Sequence, residues 1–109
     1  MEDTTQREKI KTYIIRLAAE FILAEASKAS LITVTNCQLS DNMRNATILL
    51  SVLPESEEAH ALEFVKRKRS HFRDYVKKHS RLKYIPFFDF DIDYGERNRQ
   101  AIEEIAQKR

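Results

Sequence analysis

The architecture of this chain is most visible in residues 31–53, which read LITVTNCQLSDNMRNATILLSVL. β-Branched residues dominate the first seven positions, and Ile32 and Val34 alternate with threonines, which is typical of a strand with one buried face. The segment Ser40–Asn45 is rich in turn-forming residues. Ala46–Leu53 has apolar residues on both faces of the predicted strand, which is typical of a central strand. The segment therefore predicts a hairpin that leads into the centre of a sheet.

A helix is predicted before the hairpin. Thr5 and Glu8 have the spacing of a capping box, in which each side chain accepts a hydrogen bond from the other residue's amide. Apolar residues then recur at intervals of three and four, as on one face of a helix: Ile10, Ile14, Leu17, Phe21 and Ala24. The first helix is expected to begin near Thr5 and to end near Ser27.

A second helical pattern follows Pro54, but it is interrupted. Glu55 or Ser56 can open it, and four apolar residues keep the helical spacing: Leu62, Val65, Phe72 and Val76. One continuous helix would bury Lys68 or Arg69 between Val65 and Phe72, at the cost of burying a charge. Ser70, the next residue, is a good N-cap. The pattern therefore predicts two helices that meet near Arg69 and Ser70.

The last strand is predicted at residues 87–93, directly after Pro86. Phe88, Phe90 and Ile92 alternate with three aspartates, so one face of this strand is apolar and the other acidic. Pro86 has no amide hydrogen and should lie at the start of a strand or on a sheet edge. Beyond Gly95, the spacing of two isoleucines indicates a short C-terminal helix: Ile102 and Ile105.

The predicted order is α-β-β-α-α-β, which gives an α+β domain with a three-stranded sheet and helices packed on one face. This is also the order of the type II KH domain, an RNA-binding unit. With 109 residues, the chain is expected to form one KH-like domain, with a core at about 5–94 and an extension at 95–109.

Basic residues are concentrated in one part of the chain. The net charge is only +2, but residues 66–83 carry +8 and the rest carries −6, and Asp74 is the only acid in that segment. Nine cations make up the segment: Lys66, Arg67, Lys68, Arg69, Arg73, Lys77, Lys78, Arg81 and Lys83. Because the segment itself supplies almost no acids to pair with these cations, it predicts contact with nucleic-acid phosphates rather than a merely solvated face.

Composition excludes most catalytic classes. Gly95 is the only glycine, so no phosphate-binding loop, dinucleotide fingerprint or nucleophile elbow is present. One cysteine and three histidines (His60, His71 and His79) lack the spacing of a metal site, and the histidines are expected on the surface. Cys37 is expected in the core. No enzyme activity, cofactor or bound metal is predicted.

Two further expectations concern the acidic and aromatic residues of the last strand. Asp89, Asp91 and Asp93 do not fit a calcium loop, because the position that requires glycine is Tyr94. Their acidic face would repel RNA and turn the basic side toward it. Three aromatic residues entering this strand are expected to be core residues rather than base-stacking ones: Tyr84, Phe87 and Phe88.

The lone cysteine favours a reducing compartment. No apolar run approaches the roughly 20 residues of a membrane span, and the acidic N-terminus is unlike a targeting peptide. We therefore expect a cytoplasmic protein without membrane contact, or the mature matrix form of an organellar one.

Two motifs resemble those of the bacterial ribosome-binding factor A family, over roughly residues 7–94. The first is Thr33–Thr35 followed by Ser40–Ser51, similar to the family's hairpin. The second is Arg81–Phe90, similar to the family's entry into its last strand. Two features depart from the family: residues 25–27 replace its usual Asp-Pro-Arg, and Ser70 stands where its interhelical kink has glycine.

The resemblance implies a non-enzymatic assembly factor. Such a protein would bind the immature, free 30S subunit and its 16S rRNA, support rRNA processing and late small-subunit maturation, and aid growth in the cold. It would be a monomer off the ribosome. The nine cations of residues 66–83, together with Ser70 and the amides at the start of its helix, would contact rRNA phosphates. The alternative class is a basic DNA-binding regulator or a protein-interaction module with an acidic partner.

Overall fold

A computed structural model describes residues 2–26 (2–5 as backbone only), 29–96 and 98–99. Helix α1 spans Glu2–Glu25, strand β1 Leu31–Leu39 and strand β2 Asn45–Leu53. A 3-10 turn at Glu55–Glu57 precedes helix α2 at Glu58–Arg67, which is followed by helix α3 at Arg69–His79 and strand β3 at Phe87–Ile92. This confirms the predicted order. The C-terminal helix predicted around Ile102 and Ile105 lies outside the described residues.

The three strands form one mixed sheet in the order β1-β2-β3. Strand β1 pairs antiparallel with β2, with Leu31 opposite Leu53 and a bulge at Thr35. Strand β3 pairs parallel with β2, with Asn45 opposite Phe87. Strand β2 is therefore central, as its apolar sequence predicts, and α2 and α3 form the crossover that a parallel connection requires.

The core lies between the sheet and the three helices. Alternate side chains of β2 and β3 are buried, as expected for a sheet covered on one face. The largest fully buried side chains come from all three helices and all three strands: Phe72, Phe90, Ile14, Ile48, Leu50, Val65, Val76 and Cys37. Helices on one face of a three-stranded sheet confirm the α+β, KH-like layout.

Helices α2 and α3 are separated by a single residue. Lys68 has φ −95° and ψ 9°, and its amide donates to the carbonyl of Val65, three residues back. The break allows Val65 and Phe72 to be buried together without burying a cation between them. Arg69 is accordingly exposed, and Lys68 is half-buried. The predicted interruption is confirmed.

Two predicted helix caps are wrong. Helix α1 already begins at Glu2, so Thr5 lies inside it and is not an N-cap. Lys68, not Ser70, is the residue that precedes α3, and it makes no side-chain capping bond. Ser70 is instead the second residue of α3, because the helix resumes immediately after the one-residue break.

Candidate nucleic-acid interface

Helix α3 carries four of the nine cations of the basic segment and is fixed to the core by Phe72. The Phe72 ring is fully buried and lies 4.7 Å from the ring centroid of Phe88, 5.3 Å from that of Phe21 and 5.9 Å from that of Phe90. These contacts join α3 to α1 and to β3. The cations on the outer surface of α3 are therefore carried by a well-anchored helix.

The first four basic residues all approach carboxylates from outside the segment. We call them the kink cluster: Lys66, Arg67, Lys68 and Arg69. The Asp89 carboxylate lies 2.9 Å from Lys66 Nζ and 3.2 Å from Arg69 Nη1. Lys68 Nζ is 4.0 Å from Glu25, the last residue of α1. Arg67 Nη1 is 3.9 Å from Glu63, one turn earlier on α2. The segment lacks acids in sequence, but the fold supplies them.

The contacts of Asp89 also change its titration. Partial burial acts to raise the pKa of Asp89, but hydrogen bonds from Lys66 and from the Phe90 amide outweigh this effect. The charges of Lys66 and Arg69 act in the same direction, and the net result is a lowered pKa. The carboxylate therefore stays charged to a lower pH than a free aspartate does, and at neutral pH it offsets part of the positive charge of the kink cluster.

The three aspartates alternate with buried residues, as predicted, and repulsion of RNA by their face stays a prediction. Asp89 faces the kink cluster. Asp93 accepts a hydrogen bond of 2.6 Å from the Thr35 hydroxyl and another from the Glu96 amide, and these lower the pKa of Asp93. Asp91 is exposed and accepts a bond from the Ile92 amide. All three carboxylates therefore accept hydrogen bonds from nearby groups.

The later basic residues differ from the kink cluster. We call them the distal set: Lys77, Lys78, Arg81 and Lys83. All four are exposed, and none has an ion pair within the described part of the chain. Lys83 Nζ lies 5.7 Å from the ring centroid of Tyr84. Because no ion pair within the described residues offsets their charge, these cations can contact an anion from solution.

Arg73 lies between the two groups and makes a third kind of contact. Its Nε and Nη2 donate to the carbonyls of Pro86 and Ile85, at 3.1 and 3.0 Å. Its guanidinium also covers the Phe87 ring, 4.5 Å from the centroid. Arg73 therefore holds the entry of β3 against α3 while keeping its charge near the surface. Ser70 is exposed in the first turn of α3.

Two of the three aromatic residues predicted as core are on the surface. Phe88 is buried, but Tyr84 and Phe87 are 79% and 64% exposed. They lie beside Arg44, an exposed residue of the hairpin turn that is outside the predicted basic segment. The parallel register brings this turn next to the start of β3, which local sequence patterns do not reveal.

The remaining candidate groups give no sign of catalytic chemistry. Cys37 is fully buried, and burial raises its pKa to about 11, against a smaller lowering effect of Lys11. The three histidines are exposed. Among the described residues, no cluster of three or more His, Cys, Asp or Glu side chains is arranged to hold a metal ion. None of the helices in the described ranges has the length and hydropathy needed to cross a bilayer.

Fold and surface together define a small KH-like α+β protein with a cationic helix face. A family model described as Ribosome-binding factor A matches residues 6–106, and the chain belongs to that family. It is 32% identical to the ribosome-binding factor A of Thermodesulfovibrio yellowstonii over 98% of this chain and 96% of that protein.

Solved structures support the fold. The crystal structure of ribosome-binding factor A from Thermus thermophilus has a TM-score of 0.70 and 21% identity, covering 78% of this chain and 93% of that one. A homology model of the Thermus thermophilus protein, fitted into a cryo-EM map of its complex with the 30S subunit, has a TM-score of 0.64 and 22% identity. It covers 74% of this chain and 88% of that one.

Proposed function

We propose that this protein is a cytoplasmic assembly factor that binds the free, immature 30S subunit through its 16S rRNA. Membership of the ribosome-binding factor A family is the observation that carries the proposal. The relative in the 30S complex supports the choice of partner. On this proposal the chain acts as a monomeric, single-domain RNA-binding protein, without cofactor or catalysis, that supports rRNA processing, late subunit maturation and growth in the cold.

The proposed contact surface is the basic segment together with Ser70, and its parts contribute unequally. The distal set carries four exposed cations without ion pairs among the described residues, so it gains most from phosphate contact. In the kink cluster, Asp89, Glu25 and Glu63 already offset part of the charge. Each phosphate that the protein neutralises adds about 0.7 to 0.9 to the salt slope of affinity.

Sedimentation with purified small subunits tests the proposal. The protein is expected to migrate with free 30S subunits in a sucrose gradient at low salt and to be released as the salt is raised. It should be absent from translating ribosomes in a cell lysate. Protein that stays at the top of the gradient at every salt concentration would contradict the proposal and favour the DNA-binding or protein-interaction alternative.

The maturation role has a separate test in cells. In a bacterium that lacks its own family member, expression of this chain should restore growth at low temperature and reduce the amount of unprocessed 16S rRNA precursor. The matched control is a variant in which Lys77 and Lys78 are glutamine. Restoration of growth without a change in precursor would argue against a role in rRNA processing.

A further inference from the structure

We infer that the groove beside Tyr84 and Phe87 binds an unpaired segment of RNA by stacking its bases on these two rings. This inference rests on the proposed RNA-binding function and adds a second contact, at the far end of α3 from the kink cluster. The groove encloses about 1040 Å³ between the hairpin turn, the N-terminal half of α1 and the loop before β3.

The rings of Tyr84 and Phe87 are exposed, unlike those of the core phenylalanines. The phenylalanines Phe72, Phe88 and Phe90 are in the core, whereas Tyr84 and Phe87 are among the exposed large apolar residues. Tyr84 and Phe87 leave most of their surface in water and so forgo the stabilisation that burial of their rings would provide. Exposed apolar groups that line a groove are typical of binding sites.

The charge of the groove fits a polyanion. Arg44, Arg73 and Lys83 are among its lining residues, and none of the lining residues is acidic. Arg73 covers one side of the Phe87 ring, and Lys83 lies near the Tyr84 ring. Cations beside exposed aromatic rings provide both a phosphate contact and a stacking surface, which is the combination used to bind single strands.

The walls of the groove are held in place before any ligand arrives. The Phe87 amide donates to the Arg44 carbonyl at 2.8 Å, which fixes the turn to β3. Arg7 donates to the carbonyls of Leu39 and Ser40, which fixes the turn to α1. Because the turn and the strand are joined in this way, little ordering would be needed on binding.

The turn itself is closely hydrogen-bonded. Asn42 Oδ1 accepts from the Ser40 hydroxyl at 2.7 Å and from the Arg44 amide at 3.0 Å. The Asn45 amide donates to the Ser40 hydroxyl oxygen at 3.1 Å, and Met43 adopts a positive φ of 59°. These contacts set the backbone from which the Arg44 side chain projects at the edge of the groove.

The test compares binding of three probes to the full chain by fluorescence anisotropy: a short labelled oligouridylate, duplex RNA and inorganic polyphosphate. The Tyr84→Ala variant and the Tyr84→Ala/Phe87→Ala variant should bind oligouridylate about tenfold or more weakly, because base stacking is lost. Binding of polyphosphate, which has no bases, should change by less than about twofold. Tyr84→Phe keeps the ring and should keep the affinity.

Tyr94→Ala is the matched control, because Tyr94 is an exposed aromatic residue beyond the other end of β3. It should leave oligouridylate binding unchanged. Equal affinity of the Tyr84→Ala/Phe87→Ala variant and the unmodified chain for oligouridylate would overturn the inference. An equal loss for polyphosphate, or tighter Tyr84-dependent binding of an acidic peptide, would overturn it as well.

Failure of this inference can be told apart from failure of the proposed function. If the unmodified chain sediments with 30S subunits but does not need Tyr84 to bind oligouridylate, only the inference is wrong. If it binds neither 30S subunits nor RNA, the proposed function is wrong and the inference falls with it.

Discussion

The kink cluster and the distal set each have four cations but lie in different surroundings in the fold. Every member of the kink cluster lies within 4.0 Å of a carboxylate oxygen, and Asp89 contacts two of them. No member of the distal set has an ion pair among the described residues. A run of cations in a sequence therefore does not identify its own binding residues, because acids from distant elements decide how much of the charge is left for a partner.

The difference between the kink cluster and the distal set depends on α3 being held in place. Phe72→Ala should remove that support for both regions. Removing this fully buried ring from among Phe21, Phe88 and Phe90 is expected to cost about 3–5 kcal/mol in the free energy of unfolding. Urea unfolding followed by circular dichroism measures the loss. Tyr84→Ala, an exposed aromatic control, should stay within about 0.5 kcal/mol. An unchanged midpoint for Phe72→Ala would show that the ring does not anchor the helix.

Neutralising matched pairs of cations tests which region meets the partner. Lys77→Gln/Lys78→Gln and Lys68→Gln/Arg69→Gln remove the same formal charge. The first pair should lower the salt slope of 30S binding by about 1 for each lysine, because these cations make no ion pair within the described residues. The second pair should lower it less, because Glu25 and Asp89 already offset its charge.

Titration of binding against salt, with thermal unfolding as a check on folding, gives both slopes. Equal changes in the salt slope for the two pairs would mean that the ion pairs of Glu25 and Asp89 with the kink cluster break when the 30S subunit binds. A larger decrease in the salt slope for Lys68→Gln/Arg69→Gln would mean that the kink cluster, and not the distal set, makes the main contact with the 30S subunit.

Most of the fold follows from sequence patterns that act locally. The alternation of residues 87–93 and the apolar run of β2 identify an edge and a central strand, and the spacing of Val65 and Phe72 identifies the helix break. Residue preference gave the wrong caps at Thr5 and Ser70, which lie inside α1 and α3, because threonine and serine are also tolerated within helices. Phe87 has the phase of Asp89 rather than of Phe88, so the alternation itself indicates a position away from the core.

Less of the candidate site than of the fold can be predicted from the sequence. The basic residues can be listed, but their partners cannot, because Asp89 reaches Lys66 and Arg69 only through the parallel pairing of β2 and β3. Likewise, Arg44 comes next to Phe87 through one long-range backbone hydrogen bond. Such contacts depend on register, which no segment of this sequence specifies by itself.

Asp89→Asn should have the smallest effect of these variants and the most specific one, because it alters a single carboxylate. It removes the charge that Lys66 and Arg69 share, so 30S affinity should rise by a few fold as the kink cluster becomes more like the distal set. The loss in stability at neutral pH should be at most about 1 kcal/mol, because both ion pairs are about half exposed to solvent. Asp91→Asn, an exposed neighbour on the same strand, is the matched control and should change neither quantity.

The pH dependence identifies the cause of that small loss. The pKa of Asp89 is lowered in the folded protein, so its contribution is complete above the unfolded value of about 3.9 and is lost as the pH falls through the lower folded value. Unfolding curves of the unmodified protein and Asp89→Asn should therefore differ at pH 7 and converge in acid. A difference that persists below the folded pKa would mean that the amide disturbs packing at the edge of β3, and that the carboxylate charge is not what distinguishes the kink cluster from the distal set.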